Sequence, residues 1–175
     1  MNAAAKSIHA DLQQFLTFKL AGEEYGVGIL SVQEIRGWSS VTAIPHSPAW
    51  LLGVINLRGV VVPIIDLRIK FAFARAEYND FTVVIVLNVV LNSGARVVGM
   101  VVDGVSDVIT LSPGQIRPAP QLGNSTDTSH IIGFGTLDER MRILLDAERL
   151  LVSMELSSVD LGNVNGTIVS RKGSQ

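Results

Sequence analysis

The chain contains no cysteine. That excludes a disulfide framework, a thiolate nucleophile and any cysteine-ligated zinc site. The absence fits a reducing compartment. An excess of one charge is also missing: the formal net charge is −2, with acidic and basic residues mixed along the chain. No basic patch of the kind a nucleic-acid binder carries stands out, and nothing would draw the chain to anionic lipid. Long hydrophobic runs are missing as well. The longest apolar-rich stretches, residues 83–90 and 97–102, fall far short of the roughly 20 residues a membrane-spanning helix needs. Residues 1–10 carry Lys6 but no apolar stretch behind it, so they do not read as a secretory signal. The expectation is a cytoplasmic protein with no direct membrane insertion and no nucleic-acid partner. In that setting Asn124-Ser125-Thr126 and Asn165-Gly166-Thr167 match the glycosylation pattern only as turn sequences.

Of the 175 residues, 47% are hydrophobic, enough for one sizeable core. The apolar spacing has a period of two far more often than 3.6. Leu16, Phe18 and Leu20 alternate with Thr17 and Lys19, which predicts a half-buried strand. Ala21-Gly22-Glu23 then turns into a second short strand, giving an N-terminal hairpin. Residues 32–38 and 40–44 read as extended, and one helical turn is expected near Ala49. Two apolar strands flank Arg58-Gly59, where glycine can take the positive φ of a tight reversal. Pro63 lies in the second of them and predicts an edge or a bulge. Asp66 can cap a short helix. Residues 81–87 read as a strand covered on both sides, followed by a hairpin at Asn92-Ser93-Gly94, a turn at Asp103-Gly104, and a last hairpin around Asp138-Glu139. Residues 113–121 read as an irregular connection and 122–130 as a surface loop. One amphipathic helix is expected, capped by Asp146, with Ala147, Leu150, Leu151 and Met154 on one face. These elements predict an all-β barrel or sandwich, with residues 70–80 as the seam between two halves that show no obvious repeat.

No catalytic constellation emerges. His9, His46 and His130 are scattered and do not form a metal-ligand set. Gly133-Phe134-Gly135 lacks the Lys-Ser/Thr of a phosphate loop, and Glu23-Glu24 and Asp138-Glu139 sit in turns. Arg58 is either an exposed turn residue or an arginine held out to meet a partner. Val32 and Ile35 cannot both face the core of a regular strand, so one of them is a candidate interface anchor. Trp38 and Trp50 fit either core or contact.

Four stretches are familiar. Glu24-Tyr-Gly-Val-Gly-Ile-Leu-Ser-Val-Gln-Glu-Ile-Arg-Gly-Trp38 and Gly53-Val-Ile-Asn-Leu-Arg-Gly-Val-Val-Val-Pro-Ile-Ile-Asp-Leu-Arg68 resemble the most distinctive parts of CheW-type coupling proteins. Val98-Gly-Met-Val-Val-Asp-Gly-Val-Ser-Asp-Val108 and Gln115-Ile-Arg-Pro-Ala-Pro120 are similar to later stretches of that family, in the same order. The resemblance covers residues 15–151. It implies two SH3-like five-stranded β-barrels with a hydrophobic seam and a C-terminal helix. It also implies a single domain over residues 13–155. Its subdomains are expected at about 13–75 with the C-terminal helix and at 80–145, and residues 1–12 and 157–175 as flexible termini. The job implied is that of a non-enzymatic chemotaxis adaptor, without metal or cofactor. It would be monomeric in isolation and recruited to membrane-associated receptor arrays. Its expected partners are the CheW-like regulatory domain of the histidine kinase CheA and the cytoplasmic tips of methyl-accepting receptors. By correspondence of position, Val32, Glu34, Ile35, Leu57 and Arg58 are implied in kinase binding. Val32, Gly53, Arg58, Gly59, Val105, Val108 and Gly133 are implied in receptor binding. The rival readings are a CheW-like domain serving another kinase pathway, a small β-barrel enzyme and a nucleic-acid-binding barrel.

Overall fold

A computed structural model describes residues 11–74, 77–121 and 128–154. The strands are β1 (Gln13–Leu20), β2 (Glu23–Gly28), β3 (Val32–Gly37), β4 (Leu51–Leu57), β5 (Val60–Asp66), β6 (Val83–Leu91), β7 (Gly94–Val102), β8 (Gly104–Leu111), β9 (Ile116–Arg117), β10 (Ile131–Leu137) and β11 (Arg140–Leu145). Two helices follow the hairpins of β4–β5 and β10–β11: α1 (Leu67–Lys70) and α2 (Ala147–Ser153). Asp66 caps α1 by accepting from the Arg68 N–H, and Asp146 caps α2 by accepting from the Arg149 N–H. Three hairpins turn through two residues of positive φ, at Ala21-Gly22, Arg58-Gly59 and Asp138-Glu139. That backbone sense matches the right-handed twist of the flanking strands.

The strands form two sheets, ordered β8-β1-β2-β11-β10-β9 and β3-β6-β7-β5-β4. The expected division at residues 70–80 is therefore wrong. β5 pairs in parallel with β7 across that segment, and β2 pairs in parallel with β11 near the other end of the chain. One subdomain is built from β1, β2 and β8 to β11, and the other from β3 to β7. Each sheet curls so that the chain leaving one edge returns to the other. Residues following β3 reach β4 at a Thr42–Val54 bridge with both N···O distances 2.9 Å, and the chain leaving β8 reaches β10 through β9. The first sheet counts a sixth strand only because β9 adds two residues.

A repeat also emerges that the sequence conceals. Residues 51–66 and 131–146 have the same hairpin register, bulge and helix cap, so Gly53 and Gly133, Leu57 and Leu137, and Asp66 and Asp146 are equivalent. Gly26 pairs with Leu144 as Gly99 pairs with Ile64. The edge strands β3 and β8 match in the same way, making Val32, Glu34 and Ile35 equivalent to Val105, Asp107 and Val108.

Between the sheets lies the main core, where Leu16, Phe18 and Leu20 meet Ile85, Leu87 and Met100. Helix α2 adds Leu150, Leu151 and Met154 to it. Each buried side chain of this size contributes roughly 1.5–3 kcal/mol. Each sheet also wraps a smaller core of its own, Leu57, Val62, Ile64, Val84, Val86 and Val101 in one, and Phe15, Ile109, Leu111 and Leu144 in the other. β1 is therefore covered on both faces rather than half-buried, with only Lys19 and the first two residues exposed.

Smaller expectations also shift. β5 is an interior strand, and Pro63 is tolerated because pairing to β7 begins only at Ile64. Phe81 precedes β6 and is 79% exposed instead of opening a buried strand. Residues 49 and 50 form a turn, not a helix. The connection at 113–121 contains a 3-10 turn, Pro113–Gln115, and β9. The loop expected at 122–130 falls mostly outside the described residues, as do most of the expected flexible termini.

Candidate functional site

The conflict over Val32 and Ile35 is resolved by a β-bulge. β3 pairs with β6 as Val32 to Leu87, Glu34 to Val86 and Ile35 to Ile85, leaving Gln33 unmatched. The extra residue shifts the alternation, so Val32 and Ile35 lie on the same face instead of opposite ones. Val32 packs partly against the main core, while Ile35 is 46% exposed. A bulge on an edge strand is a means of re-aiming side chains outward.

The Arg58-Gly59 hairpin tip comes up against this edge. Arg58 holds φ at 51° and Gly59 at 87°, and the Asn56 side-chain oxygen accepts from the Gly59 N–H at 2.8 Å. The left-handed conformation costs a non-glycine residue about 1 kcal/mol. Arg58 nonetheless sits there and donates from Nη2 to Glu34 Oε2 at 2.7 Å, with Arg36 Nη1 at 3.6 Å from Glu34 Oε1. The Arg58 side chain is 68% exposed, so this ion pair contributes on the order of 0.2–1 kcal/mol. Val60 and Val61 are exposed on the strand leaving the tip. The result is an edge with an apolar anchor, a carboxylate bracketed by two arginines and an exposed guanidinium paired to it.

Other residues implied by the resemblance lie elsewhere. Leu57 is buried beneath the hairpin tip and presents no side chain to a partner, because it fills the core under β4 and β5. Gly53 and Gly133 are interior spacers: a Cβ at Gly53 would collide with the Thr42 carbonyl, and one at Gly133 with the Arg117 carbonyl. Both glycines let the crossing chain close its sheet, and Gly53 also has φ 150°. Gly59 faces open space and is needed for its φ alone. Val105 and Val108 belong to the second bulged edge, on β8, away from Arg58.

Two features had no clear sequence signal. The first is a groove along the seam. Leu30, on the 3-10 turn Ile29–Ser31 that carries the chain from one sheet to the other, is 99% exposed. It lies between two concavities that share Ile132, one continuing to Leu12 and Phe15 and the other to Val90, Asp146 and Glu148. The second is a buried charge network. Arg68, 1% exposed, donates to both Asp66 oxygens, to the Glu77 carbonyl and to Asp103 Oδ1 at 2.9 Å. Tyr78 donates to Asp66 Oδ2 at 2.7 Å, and its ring lies 4.9 Å from the Arg68 guanidinium and 4.6 Å from Trp38. Asp103 also accepts from the Ala21 N–H, so Arg68 bonds one sheet to the hairpin end of the other. Burial alone would raise the Asp66 pKa, but bonds from Arg68 and Tyr78 hold it below the usual carboxylate value. Burial and the bond to Asp66 push the Tyr78 hydroxyl up to about 12. A charged residue two positions after a cap aspartate is the only sequence signal for this network.

Among the described residues, no group of three His, Asp or Glu side chains could hold a metal ion, and no helix is long and apolar enough to cross a membrane. The chain matches a model of the CheW-like domain family over residues 14–155. It is 56% identical to the chemotaxis protein CheW of Klebsiella aerogenes over 85% of this chain and 87% of that one. The probable chemotaxis protein CheW of Rhizobium etli is 39% identical over 89% and 97% of the two chains. Among solved structures, the scaffolding protein TtCheW from Thermoanaerobacter tengcongensis superposes with a TM-score of 0.71 at 31% identity, over 79% of this chain and 92% of its own. The chain therefore belongs to the CheW-like domain family and is a coupling adaptor of chemotaxis signalling.

Proposed function

We propose that the chain acts without catalysis, in the cytoplasm, by tying the histidine kinase CheA to the cytoplasmic tips of methyl-accepting receptors. The kinase's CheW-like regulatory domain docks on the β3 edge through Val32, Glu34, Ile35 and Arg58, with Leu57 supporting the tip from below. The receptor's helical hairpin enters the seam groove beside Leu30, as an amphipathic helix enters an apolar groove. Val32 and Arg58 on the β3 edge and Val105 and Val108 on the β8 edge add further receptor contacts, and Gly53, Gly59 and Gly133 preserve the backbone geometry behind them. Holding both partners on one scaffold raises the effective concentration of each for the other. That recruits the adaptor to receptor arrays, while the isolated chain is a monomer.

The observation that carries this reading is the β3 edge itself: an exposed Ile35 beside an Arg58–Glu34 pair that a partner can replace. Arg58→Glu sets two carboxylates against each other at that pair. The exposed position predicts an unchanged fold and a lower affinity for the kinase domain. A folded Arg58→Glu protein that binds the kinase domain and supports receptor control as the parent does would refute the role of Arg58.

A further inference from the structure

Thr17 is buried on β1 between two core residues, Leu16 and Phe18. Its hydroxyl bonds a single residue of the neighbouring edge strand in both directions. Oγ1 donates to the Asp107 carbonyl at 2.9 Å and accepts from the Asp107 N–H at 3.0 Å. Asp107 lies inside a bulge, where β8 pairs with β1 as Val105 to Phe18 and Val108 to Leu16, leaving Ser106 and Asp107 outside the register. The threonine hydroxyl thus ties both backbone groups of Asp107 to β1 where the register is interrupted.

The bulge decides where the valines point. Positions 105 and 108 fall on opposite faces of a regular strand. Here Leu16 and Phe18 share one face, so their partners Val108 and Val105 share it too. Val105 packs partly against the main core, and Val108 stands 51% exposed beside it. Slipping to a regular register would put Asp107 opposite Leu16 and turn Val108 away. The matching bulge on β3 lacks such a pin, because the residue that faces it, Val86, has no polar side-chain atom. On β3 the Arg58–Glu34 bond joins two side chains, whereas on β8 the Thr17 hydroxyl grips the bulge backbone itself.

We infer that Thr17 is a positioning residue for coupling: its buried hydroxyl locks the β8 bulge and holds Val105 and Val108 together as one apolar contact. This rests on the proposed reading of Val105 and Val108 as receptor contacts. Valine nearly matches threonine in shape, so Thr17→Val removes both bonds with little change in packing, whereas Thr17→Ser keeps them.

The full-length variants are compared by amide hydrogen exchange at Asp107 and by receptor-dependent kinase activation. Val108→Lys serves as a direct test of the surface. Thr17→Val is expected to speed Asp107 exchange by about tenfold and to lower activation by about fivefold, as losing a side-chain hydrogen bond implies. Thr17→Ser should keep both near the parent. If Val108→Lys impairs activation while a folded Thr17→Val does not, the positioning role is overturned and the docking surface stands. If Val108→Lys has no effect, the docking reading fails and the positioning role fails with it, whatever the exchange rate. Should Thr17→Val not fold, Thr17→Cys, similar in size but a poor donor, is judged by the same outcomes.

Discussion

Replacing Arg68 with methionine tests whether the buried network holds the two sheets together. The methionine stem fills much of the same space but leaves the Asp66 carboxylate, fully buried, without its charge partner. Breaking a buried pair in this way costs about 3–5 kcal/mol, a large part of the 5–15 kcal/mol that holds a typical domain folded. For a chain of this size the melting temperature should fall by roughly 6–20 °C. Urea unfolding at several pH values measures the effect and separates it from lost packing. In the parent, the lowered Asp66 pKa contributes stability above the unfolded carboxylate value of 3.8, and that contribution is lost as pH falls through the lower folded value. In Arg68→Met, Asp66 keeps its bonds from Tyr78 and the residue-68 N–H but loses its only cation, so burial raises its pKa relative to the parent, and the variant is penalised at neutral pH and relieved as the carboxyl protonates. The gap between parent and variant should narrow below about pH 5. A loss under about 1 kcal/mol at neutral pH, or a gap that does not change with pH, would refute this account of Arg68.

The remaining predictions concern the surface and the backbone. Leu30→Glu should change stability by less than about 0.5 kcal/mol, since Leu30 is almost fully exposed. It should nevertheless weaken co-sedimentation with receptor-containing membranes; unchanged co-sedimentation would remove Leu30 from the groove. Gly53→Ala drives a methyl group into the Thr42 carbonyl and should cost about 2 kcal/mol or more in unfolding experiments, whereas the same change at Gly114, which faces open space, should cost much less. Tyr78 has a raised pKa, so its contribution is complete below the ordinary value of 10 and is lost as pH rises toward about 12. Tyrosinate absorbance should accordingly show a group ionising near the top of that window that is missing from Tyr78→Phe.

What could be read from the sequence was local. The turns at Ala21-Gly22, Arg58-Gly59 and Asp138-Glu139 and the caps at Asp66 and Asp146 depend on residues a few positions apart, and each was legible. Non-local register was not. The parallel pairings of β5 with β7 and β2 with β11 decide which strands share a sheet, and no short pattern in 51–66 or 131–146 announces them. Their equivalence is carried by Gly53 with Gly133 and Asp66 with Asp146, too few identities to register as a repeat. The clash between Val32 and Ile35 was a genuine clue to irregularity, but its cause lies in how β3 meets β6. Arg68 looked like a helix residue because Asp103, its partner across the sheets, is distant in sequence. Of the implied site, Arg58, Glu34 and Ile35 meet at one edge, whereas Leu57, Gly53 and Gly133 act from the interior.

The central claim is that this protein couples receptor to kinase by binding both. Reconstitution tests it most directly: receptor-containing membranes and kinase, with autophosphorylation measured with and without the chain and with and without attractant. The account predicts strong, attractant-suppressed kinase activity only when the chain is present. The same receptor-controlled activity without the chain would contradict it.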